Sequence, residues 1–285
     1  MIEDRPSRTA QRVAMRRAVH QLWDFPRVLD DPVAIKIIGH HAAAEISGTR
    51  PSDSLPSVFL RMFLVVRSRY AEDQLAAAVA HGARQYVVLG AGLDTFAYRN
   101  PFQGVHVFEV DHPATQAWKR QRVQDAGIAL PASLTFVPAD FERDTLSEAL
   151  TKAGFRKQEP AFFSWLGVTP YLARETVLAT LRWIISACRH NGAAFDYAVP
   201  RESLNLISRI AFDALTSRVA AAGEPFVTFF DPEELARELL GMGFAEIDDI
   251  GADEINFRYF GDRADNLRVG GPARLVRARG DWPGS

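Results

Sequence analysis

Two glycines directly follow a short apolar run in the first third of the chain. Gly90 and Gly92 flank Ala91 and come after the run Tyr86–Leu89. Because glycine has no Cβ, such a turn lets a ligand approach the backbone and its N–H groups closely. In doubly wound α/β sheets, ligands bind over the carboxyl ends of the strands. The glycines therefore predict a ligand-binding turn after the first strand, with a tight βα turn that binds nothing as the alternative.

Acidic residues follow the next two apolar runs. Glu109 and Asp111 lie in the segment VFEVDHP and, being two positions apart, share one face of an extended strand. An acid about 20 residues after the glycine turn can accept hydrogen bonds from ribose hydroxyls. Asp140 follows the third run, where it is placed to contact an adenine amino group beside the ring of Phe141. These acids predict an adenosine-containing ligand, and solvated strand ends are the alternative.

The glycine turn departs from the dinucleotide-binding pattern. That pattern has a third glycine three residues after the second, where a helix packs closely on the strand. Here the position is occupied by Thr95, and either Asp94 or Thr95 is expected to cap the helix that follows the turn. An adenosine moiety without a pyrophosphate fits better, and S-adenosylmethionine is the obvious candidate. A nicotinamide-dependent oxidoreductase remains an alternative, as does a non-catalytic cofactor-binding protein, because no catalytic base is evident in the sequence.

Short apolar runs alternate with amphipathic stretches from residue 83 onward. This alternation predicts βαβ units and hence an α/β fold with a doubly wound, mostly parallel seven-stranded sheet. The predicted helices lie near 113–126, 144–153 and 173–190. The last two strands, 245–250 and 273–279, are predicted to form an antiparallel hairpin at the sheet edge. The other predicted strands are Tyr86–Leu89, Val105–Glu109, Leu134–Val137, Ala161–Trp165 and Ala193–Tyr197.

The whole chain, 1–285, is predicted to be a single domain in four parts. Helices dominate residues 1–82, which would form a cap, and the cofactor-binding core would cover 83–200. A helical insertion at 201–230 would form a lid before the sixth strand. The final helix and the closing strand pair would occupy 231–285.

Several polar residues are predicted to cap these helices. Thr9 is a candidate N-cap of the first helix, and Asp31 precedes a proline at the start of another. Asp231 stands before a proline in the same way near the end of the chain. The apolar segment that begins near residue 57 is long enough for one helix or a pair that ends at Gly82.

Composition excludes several classes of protein. The net charge is −2 and the pI is near 6.4, which argues against a nucleic-acid binder. The single cysteine, Cys188, suits a reducing cytoplasm and is expected to be structural. The charged N-terminus has no signal-peptide core, and the apolar window 57–66 is interrupted by Arg61. We expect a cytoplasmic protein without a nucleic-acid or membrane partner.

The sequence resembles the class I S-adenosylmethionine-dependent methyltransferases of the leucine carboxyl methyltransferase type, in particular their bacterial small-molecule branch. The similarity runs from about residue 9 to 245. The segment LGAG-x-DT followed by E-V-D-x-P is specific to this group among methyltransferases. The similar stretches are TAQRVAMRRA, DDPVA, VVRSRYAED, YVVLGAGLDTFAYR, FEVDHPATQAWKR, FVPADFE and SWLGVTPYL.

The resemblance implies cofactor contacts for the residues named above. Gly90–Gly92 would line the methionine part of S-adenosylmethionine. Asp111 would bind the ribose, with Glu109 the less favoured of the two acids. Asp140 and Phe141 would contact the adenine.

Three arginines are candidates for the cofactor's carboxylate, which the guanidinium fork suits. Arg67 matches the family best, Arg69 is the alternative, and Arg17 is a weaker candidate. Trp165 and Leu166, after the fourth strand, would complete the cofactor site. The founding enzymes have an acid at the place of Leu166, so the cofactor's ammonium needs another partner here.

The acceptor is predicted to be a small organic molecule methylated on oxygen without a metal. Tyr171 and Arg201 are the candidate catalytic residues on the acceptor side. The founding enzymes make methyl esters, and a carboxylate needs only orientation, whereas a phenol needs a base. We therefore favour a carboxylate over a hydroxyl. Arg12 and Arg16 share a helical face, which we interpret as a solvated stripe rather than an anion site.

Overall fold

One seven-stranded sheet forms the centre of the protein. The computed structural model describes residues 8–49, 54–140, 143–204, 206–221 and 223–282. Across the sheet, the strands of this described part follow the order β3-β2-β1-β4-β5-β7-β6. They are β1 (Gln85–Leu89), β2 (His106–Asp111), β3 (Leu134–Pro138), β4 (Ala161–Trp165), β5 (Asn191–Ala198), β6 (Glu246–Ile250) and β7 (Ala273–Arg279).

The pairing of the strands confirms the predicted doubly wound, mostly parallel sheet. β1 to β5 pair in parallel, and β7 lies antiparallel between β5 and β6. The closing pair is therefore antiparallel as predicted. The prediction that a hairpin connects the two strands directly is wrong. A helix, α10 (Ala252–Phe260), lies between β6 and β7 and buries only Ile255 and Phe260. Two buried residues give too sparse an apolar pattern for the helix to be recognised from sequence.

The described residues before β1 are helical, as predicted. They form α1 (Arg8–Trp23), α2 (Val33–Ile37), α3 (His40–Gly48) and α4 (Leu55–Ala80). The last is one continuous helix rather than a pair. Asp31 caps α2, since its Oδ1 accepts the N–H of Ala34 at 3.2 Å. The prediction that Thr9 caps α1 is wrong, because the helix already includes Arg8.

Of the four helices predicted between the first five strands, three are present and one is not. α5 (Pro113–Asp125), α6 (Leu146–Lys152) and α7 (Arg174–Ala187) lie where the sequence predicts them. The expected helix after the glycine turn is a single 3₁₀ turn, Phe96–Tyr98. Asp94 caps this turn, since its Oδ1 accepts the N–H of Phe96 at 2.8 Å. Pro101 disfavours the helical conformation at Asn100, so the turn cannot extend.

In the described part of the chain, two α-helices lie between β5 and β6. The predicted insertion contains α8 (Leu206–Ala221) after a short 3₁₀ turn. Then α9 (Pro232–Met242) begins at Asp231, whose Oδ1 accepts the N–H groups of Glu233 and Glu234 at 3.0 Å each. It ends at Gly243, which has the left-handed φ of 104°. The start at Asp231 agrees with the sequence prediction, and a left-handed glycine is a common end of a helix.

Alternate residues of the central strands pack on opposite faces of the sheet. Val87 and Phe163 contribute to a core with α7 and α9, whereas Tyr86 and Phe162 contribute to one with α4. The period of two follows from strand geometry. No helix in the described parts of the chain has the combination of length and apolarity that crossing a bilayer demands.

A buried polar cluster joins α1 to α4. Arg61 donates to Asp24 through Nε at 2.9 Å and Nη2 at 3.1 Å. His20 lies within 3.1 Å of the same carboxylate, and its Nε2 accepts the N–H of Val28 at 3.1 Å. The cluster fixes the angle at which α1 crosses α4. Consequently the first turns of both helices lie over the carboxyl ends of the strands.

Candidate active site

A cavity of about 1180 Å³ lies at the carboxyl edge of the parallel strands. Its floor is made by residues at or near the carboxyl ends of five adjacent strands: Gly90–Gly92, Asp111, Asp140, Leu166 and Asp196. Its roof is made by α1, the first half of α4, α8 and the segment 223–227. A small-molecule site typically occupies about 300–1,000 Å³. The cavity therefore has room for a cofactor together with a second ligand.

The glycine turn is left-handed and tightly packed. Gly90 has φ 67° and Gly92 has φ 47°. A Cβ at Gly90 would lie 2.4 Å from Cγ2 of Val168, in the loop after β4. A Cβ at Gly92 would lie 3.1 Å from the Cβ of Ala10 in α1. Both glycines are therefore required by the backbone and its neighbours, whether or not a ligand is bound.

The N–H groups of the turn are already used within the sheet. Gly90 and Ala91 donate to the carbonyl of Val110 at 2.8 and 3.1 Å. Gly92 donates to Oδ2 of Asp111 at 2.5 Å. All three N–H groups therefore have acceptors within the protein, so the turn does not present them as free donors. What the turn offers instead is a surface without side chains that a ligand can approach closely.

Asp111 faces the cavity at the end of β2. Besides the N–H of Gly92, its carboxylate accepts the N–H of His112 through Oδ1 at 2.7 Å. Burial raises the pKa of Asp111, and these two backbone hydrogen bonds partly offset the effect. Each carboxylate oxygen has a second lone pair. Asp111 is thus held in place by the backbone and can still accept hydrogen bonds from a ligand.

Glu109 does not reach the cavity. It is 1% exposed, and its Oε2 lies 2.6 Å from Nζ of Lys119 in α5. Burial raises its pKa to about 7 despite the positive charge of Lys119. Glu109 pairs in register with Phe136 inside the sheet, whereas Asp111 stands at the strand end. The two acids share a face, but only Asp111 projects beyond the sheet, so the structure removes Glu109 from the candidate site.

The residue after β3 also lines the cavity. Oδ2 of Asp140 lies 3.8 Å from Nε of Arg143. Both residues line the cavity. Phe141, predicted to contact the same ligand group, lies outside the described residues. Asp140 therefore keeps its predicted location next to Asp111.

Arg67, on α4, lies over β5, at the side of the cavity floor opposite the end of β3 and Asp140. It is 8% exposed, and its Nη1 lies 3.1 Å from Oδ2 of Asp196. Oδ1 of Asp196 accepts the N–H of Gly167 at 2.5 Å. Arg69 does not line the cavity and pairs with Asp73 at 2.8 Å. Of Arg67 and Arg69, only Arg67 lines the cavity.

Arg17 also lines the cavity, from α1. Its Nη2 lies 2.5 Å from Asp31, and its Nη1 lies 3.2 Å from Asp94. The side chain of Thr95 accepts a hydrogen bond from Nη2 at 2.8 Å. Although burial opposes it, the charge of Arg17 holds the pKa of Asp94 below its usual range. Arg17 therefore lines the cavity and also connects α1 to the residues that follow the glycine turn.

The loop after β4 contributes some of its predicted residues and not others. Leu166 lines the cavity, whereas Trp165 is fully buried in the core with α7 and α9. Tyr171 lines the cavity and makes a T-shaped contact with Phe226 at a centroid distance of 5.1 Å. Burial raises the pKa of Tyr171 to about 12. Trp165 does not reach the cavity, because strand alternation puts it on the same face as Phe163, which packs in that core.

Arg201 is not at the site. Its side chain is 47% exposed, and it pairs with Asp213 of α8 at 2.7 Å. The short 3₁₀ turn at the start of the insertion directs it to the surface instead of the cavity. Among the described residues, Tyr171 is therefore the remaining predicted acceptor-side residue that lines the cavity.

Four lining residues were missed or misinterpreted in the sequence. Arg12 and Arg16, interpreted as a solvated stripe, both line the cavity from α1. Asp196 is an acid within the otherwise apolar run of β5, a signal that could have been recognised. Glu224 follows α8 and accepts a hydrogen bond from Oγ1 of Thr9. The negative charge of Glu224 contributes to the raised pKa of Tyr171.

The comparisons with known proteins agree with this geometry. The family model of leucine carboxyl methyltransferases matches residues 10–185. The chain belongs to the leucine carboxyl methyltransferase family. The match to this family of S-adenosylmethionine-dependent methyltransferases includes α1, the glycine turn and the loop after β4. It ends within α7, before β5 and α8.

One curated relative is similar over most of the chain, and another over part of it. A protein of Bacillus subtilis (strain 168) named "Putative S-adenosyl-L-methionine-dependent methyltransferase YktD" is 31% identical over 94% of this chain and 95% of its own. A relative from Mycolicibacterium smegmatis with the same descriptive name is 36% identical over 59% of this chain and 58% of its own. The crystal structure of a DUF574 family protein from Streptomyces avermitilis matches with a TM-score of 0.59 at 13% identity, covering 99% of this chain and 100% of that one. This last similarity concerns the fold alone.

Proposed function

We propose that the protein transfers the methyl group of S-adenosylmethionine to a carboxylate oxygen of a small organic acceptor. Methyl transfer from this cofactor follows from the family. The observation that carries the rest is one continuous cavity that joins the acids at the strand ends to an arginine-bearing face of α1. The first part suits an adenosine, and the second suits a carboxylate.

The cofactor would lie along the cavity floor. Asp111 would accept hydrogen bonds from the ribose, and Asp140, one strand further, would contact the adenine. The methionine part would pass over Gly90–Gly92, where the missing side chains leave room. The half-buried carboxylate of Asp111, with one lone pair on each oxygen still unused by the backbone, is the observation that fits this group.

Arg67 and Asp196 would bind the charged end of the methionine part. A guanidinium group has five N–H donors, and the ion pair with Asp196 uses one face of it. The remaining donors can bind a carboxylate in the bidentate manner typical of arginine. Asp196 supplies a negative charge close to Leu166, where the founding enzymes have their acid. It is therefore our candidate partner for the cofactor's ammonium.

The acceptor would lie between α1, α4 and α8. Arg12 and Arg16 place two positive charges on the α1 side of the cavity. S-adenosylmethionine supplies an electrophilic methyl group, and the carboxylate oxygen forms its bond to that carbon while the carbon–sulfur bond breaks and its electrons stay on sulfur. A carboxylate is ionised at pH 7, so no base has to remove a proton. The residues of the chain contribute orientation and exclusion of water.

A hydroxyl acceptor is the second candidate, and one observation favours it. Glu224 lines the cavity near Tyr171 and carries a carboxylate that can accept a proton. A phenol or alcohol would need such a base, because its own pKa lies far above 7. In this alternative, Glu224→Gln would abolish transfer, whereas transfer to a carboxylate would survive the substitution.

The experiment is methyl transfer from isotopically labelled S-adenosylmethionine to a panel of carboxylic acids and phenols. We expect labelled product from acids, and mild alkali should release the label as methanol because the product is an ester. Arg12→Gln and Arg16→Gln should raise KM for the acid. Phe257→Ser, which changes an exposed residue on α10, is the matched control. A product that survives alkali would contradict the carboxylate assignment and favour the hydroxyl.

A further inference from the structure

We propose that the acceptor is an amphiphile, a carboxylic acid whose apolar chain lies in a channel between α4 and α8 and emerges through an apolar mouth. The inference deepens the proposed function and rests on it. It depends on how the apolar lining residues are arranged along the two helices. We define the channel by the lining residues of α4 and α8, and the mouth by Leu55, Ile210 and Val227.

The α4 side of the channel is an apolar stripe that leads to Arg67. Leu55, Phe59 and Phe63 line the cavity at successive helical turns, and Leu60 and Leu64 lie beside them. Residues spaced three and four apart share one face of a helix. From Leu55 to Arg67 the helix rises about 18 Å at 1.5 Å per residue. An extended chain can therefore lie along this stripe from the protein surface to the charged floor of the cavity.

The α8 side of the channel is also apolar. Phe212, Leu215 and Val219 line the cavity at helical spacing. Phe212 is held by a T-shaped contact with Phe229 at a centroid distance of 5.6 Å. Phe212 and Val219 are only 4% and 7% exposed, so they face the interior. An apolar ligand between α4 and α8 would contact side chains from both helices.

The mouth is apolar as well as open. Leu55, Ile210 and Val227 line the cavity, yet their exposed fractions are 60%, 65% and 56%. Leu206 lies one turn before Ile210 on α8 and is 73% exposed. Large apolar side chains that are exposed together are typical of binding sites. Because three of the four also line the cavity, their occupant should be the ligand inside it rather than a separate partner.

The ion pair of Arg67 and Asp196 on the cavity floor lies away from the mouth's apolar rim, since Arg67 is about 18 Å along α4 from Leu55. Tyr171 and Glu224 form a second polar group nearer the mouth, because Val227 donates its N–H to the carbonyl of Pro170, next to Tyr171. A wholly polar acceptor would leave the channel side chains without apolar contacts. A ligand with one charged end and a long apolar chain matches both regions.

Calorimetry with a series of straight-chain carboxylates tests the inference directly. The probes are butanoate, octanoate and dodecanoate, added to protein saturated with S-adenosylhomocysteine. Each methylene that enters the channel should tighten binding roughly fourfold. Equal affinity for butanoate and dodecanoate would overturn the inference. This binding assay does not depend on methyl transfer.

Substitution at the mouth locates the chain. Ile210→Asp should weaken dodecanoate binding at least tenfold and leave butanoate binding unchanged. Leu240→Asp is the matched control, because Leu240 is 55% exposed on α9 and does not line the cavity. Unchanged dodecanoate binding in Ile210→Asp would overturn the proposed exit. A change of oligomeric state in that variant, seen by sedimentation, would overturn it in favour of an interface between two copies.

Methyl transfer to the same acids separates this inference from the proposed function. Methyl esters formed from butanoate and dodecanoate at equal kcat/KM would overturn the inference and leave the proposed function intact. Chain-length-dependent binding without any ester would support the channel and contradict the proposed reaction. We expect kcat/KM to rise with chain length in the same order as the affinity.

Discussion

Replacing Asp111 by asparagine should weaken binding of the cofactor product, S-adenosylhomocysteine, without unfolding the protein. Both oxygens of Asp111 accept backbone N–H groups, at 2.5 Å from Gly92 and 2.7 Å from His112. The asparagine oxygen can keep one of these contacts. Its amide nitrogen cannot accept from a ribose hydroxyl, and the negative charge is lost.

The expected magnitude follows from hydrogen bonds to a charged acceptor. Each contributes about 1.5–3 kcal/mol. Loss of one such hydrogen bond, together with loss of the charge on the acceptor of the other, costs about 2–3 kcal/mol, which raises Kd roughly 30- to 150-fold. Glu109→Gln is the matched control, because it makes the same chemical change two residues earlier on β2, at a carboxylate that pairs with Lys119 away from the cavity.

Isothermal titration calorimetry with S-adenosylhomocysteine measures both variants, and thermal unfolding without ligand checks that each is folded. We expect Asp111→Asn to lose affinity and Glu109→Gln to keep it. The opposite result would refute the placement of the ribose. Normal affinity in both variants would refute the conclusion that the end of β2 binds the cofactor at all.

Three further predictions concern stability. Asp24→Asn leaves the buried charge of Arg61 poorly compensated and should lower the free energy of unfolding by about 3–5 kcal/mol in urea titrations; a loss below 1 kcal/mol would contradict the role of this cluster. Gly90→Ala should destabilise the protein, because φ is 67° and the new Cβ would lie 2.4 Å from Val168; adding Val168→Ala should restore part of the loss, and no restoration would contradict the packing argument. Burial raises the pKa of Glu109 to about 7, above its unfolded value of about 4.3. Its contribution to stability is then complete below pH about 4.3 and is lost as the pH rises through 7; Glu109→Gln should flatten this part of the stability profile, and an unchanged slope would contradict it.

The sequence predicts the sheet well because its strands are short apolar runs in a repeated pattern. The predicted strand 161–165 agrees at both ends, and the neighbouring strands agree within two residues at each end. The predicted helix after the glycine turn fails because Pro101 limits it to one turn, although that proline is visible in the sequence. The ion pair of Asp94 with Arg17 of α1 is a tertiary contact and cannot be read from local spacing.

Some residues of the candidate site are predicted correctly and others are not, because their positions depend on contacts between distant segments. Strand alternation places Glu109 and Asp111 on one face, but it does not show which of them stands beyond the edge of the sheet. Arg201 is directed outward by a short turn and bound by Asp213 of α8. Glu224 enters the cavity only because the segment after α8 returns to contact Thr9. These positions depend on how the roof packs on the sheet.

A crystal structure with S-adenosylhomocysteine and dodecanoate would show where both ligands bind. We expect the ribose hydroxyls within hydrogen-bonding distance of Asp111 and the methionine part over Gly90–Gly92. We expect the carboxylate of the acid to face the cofactor's sulfur, with the alkyl chain between α4 and α8. A cofactor bound away from the ends of β1 and β2, or an acid bound outside the cavity, would contradict the proposed placement.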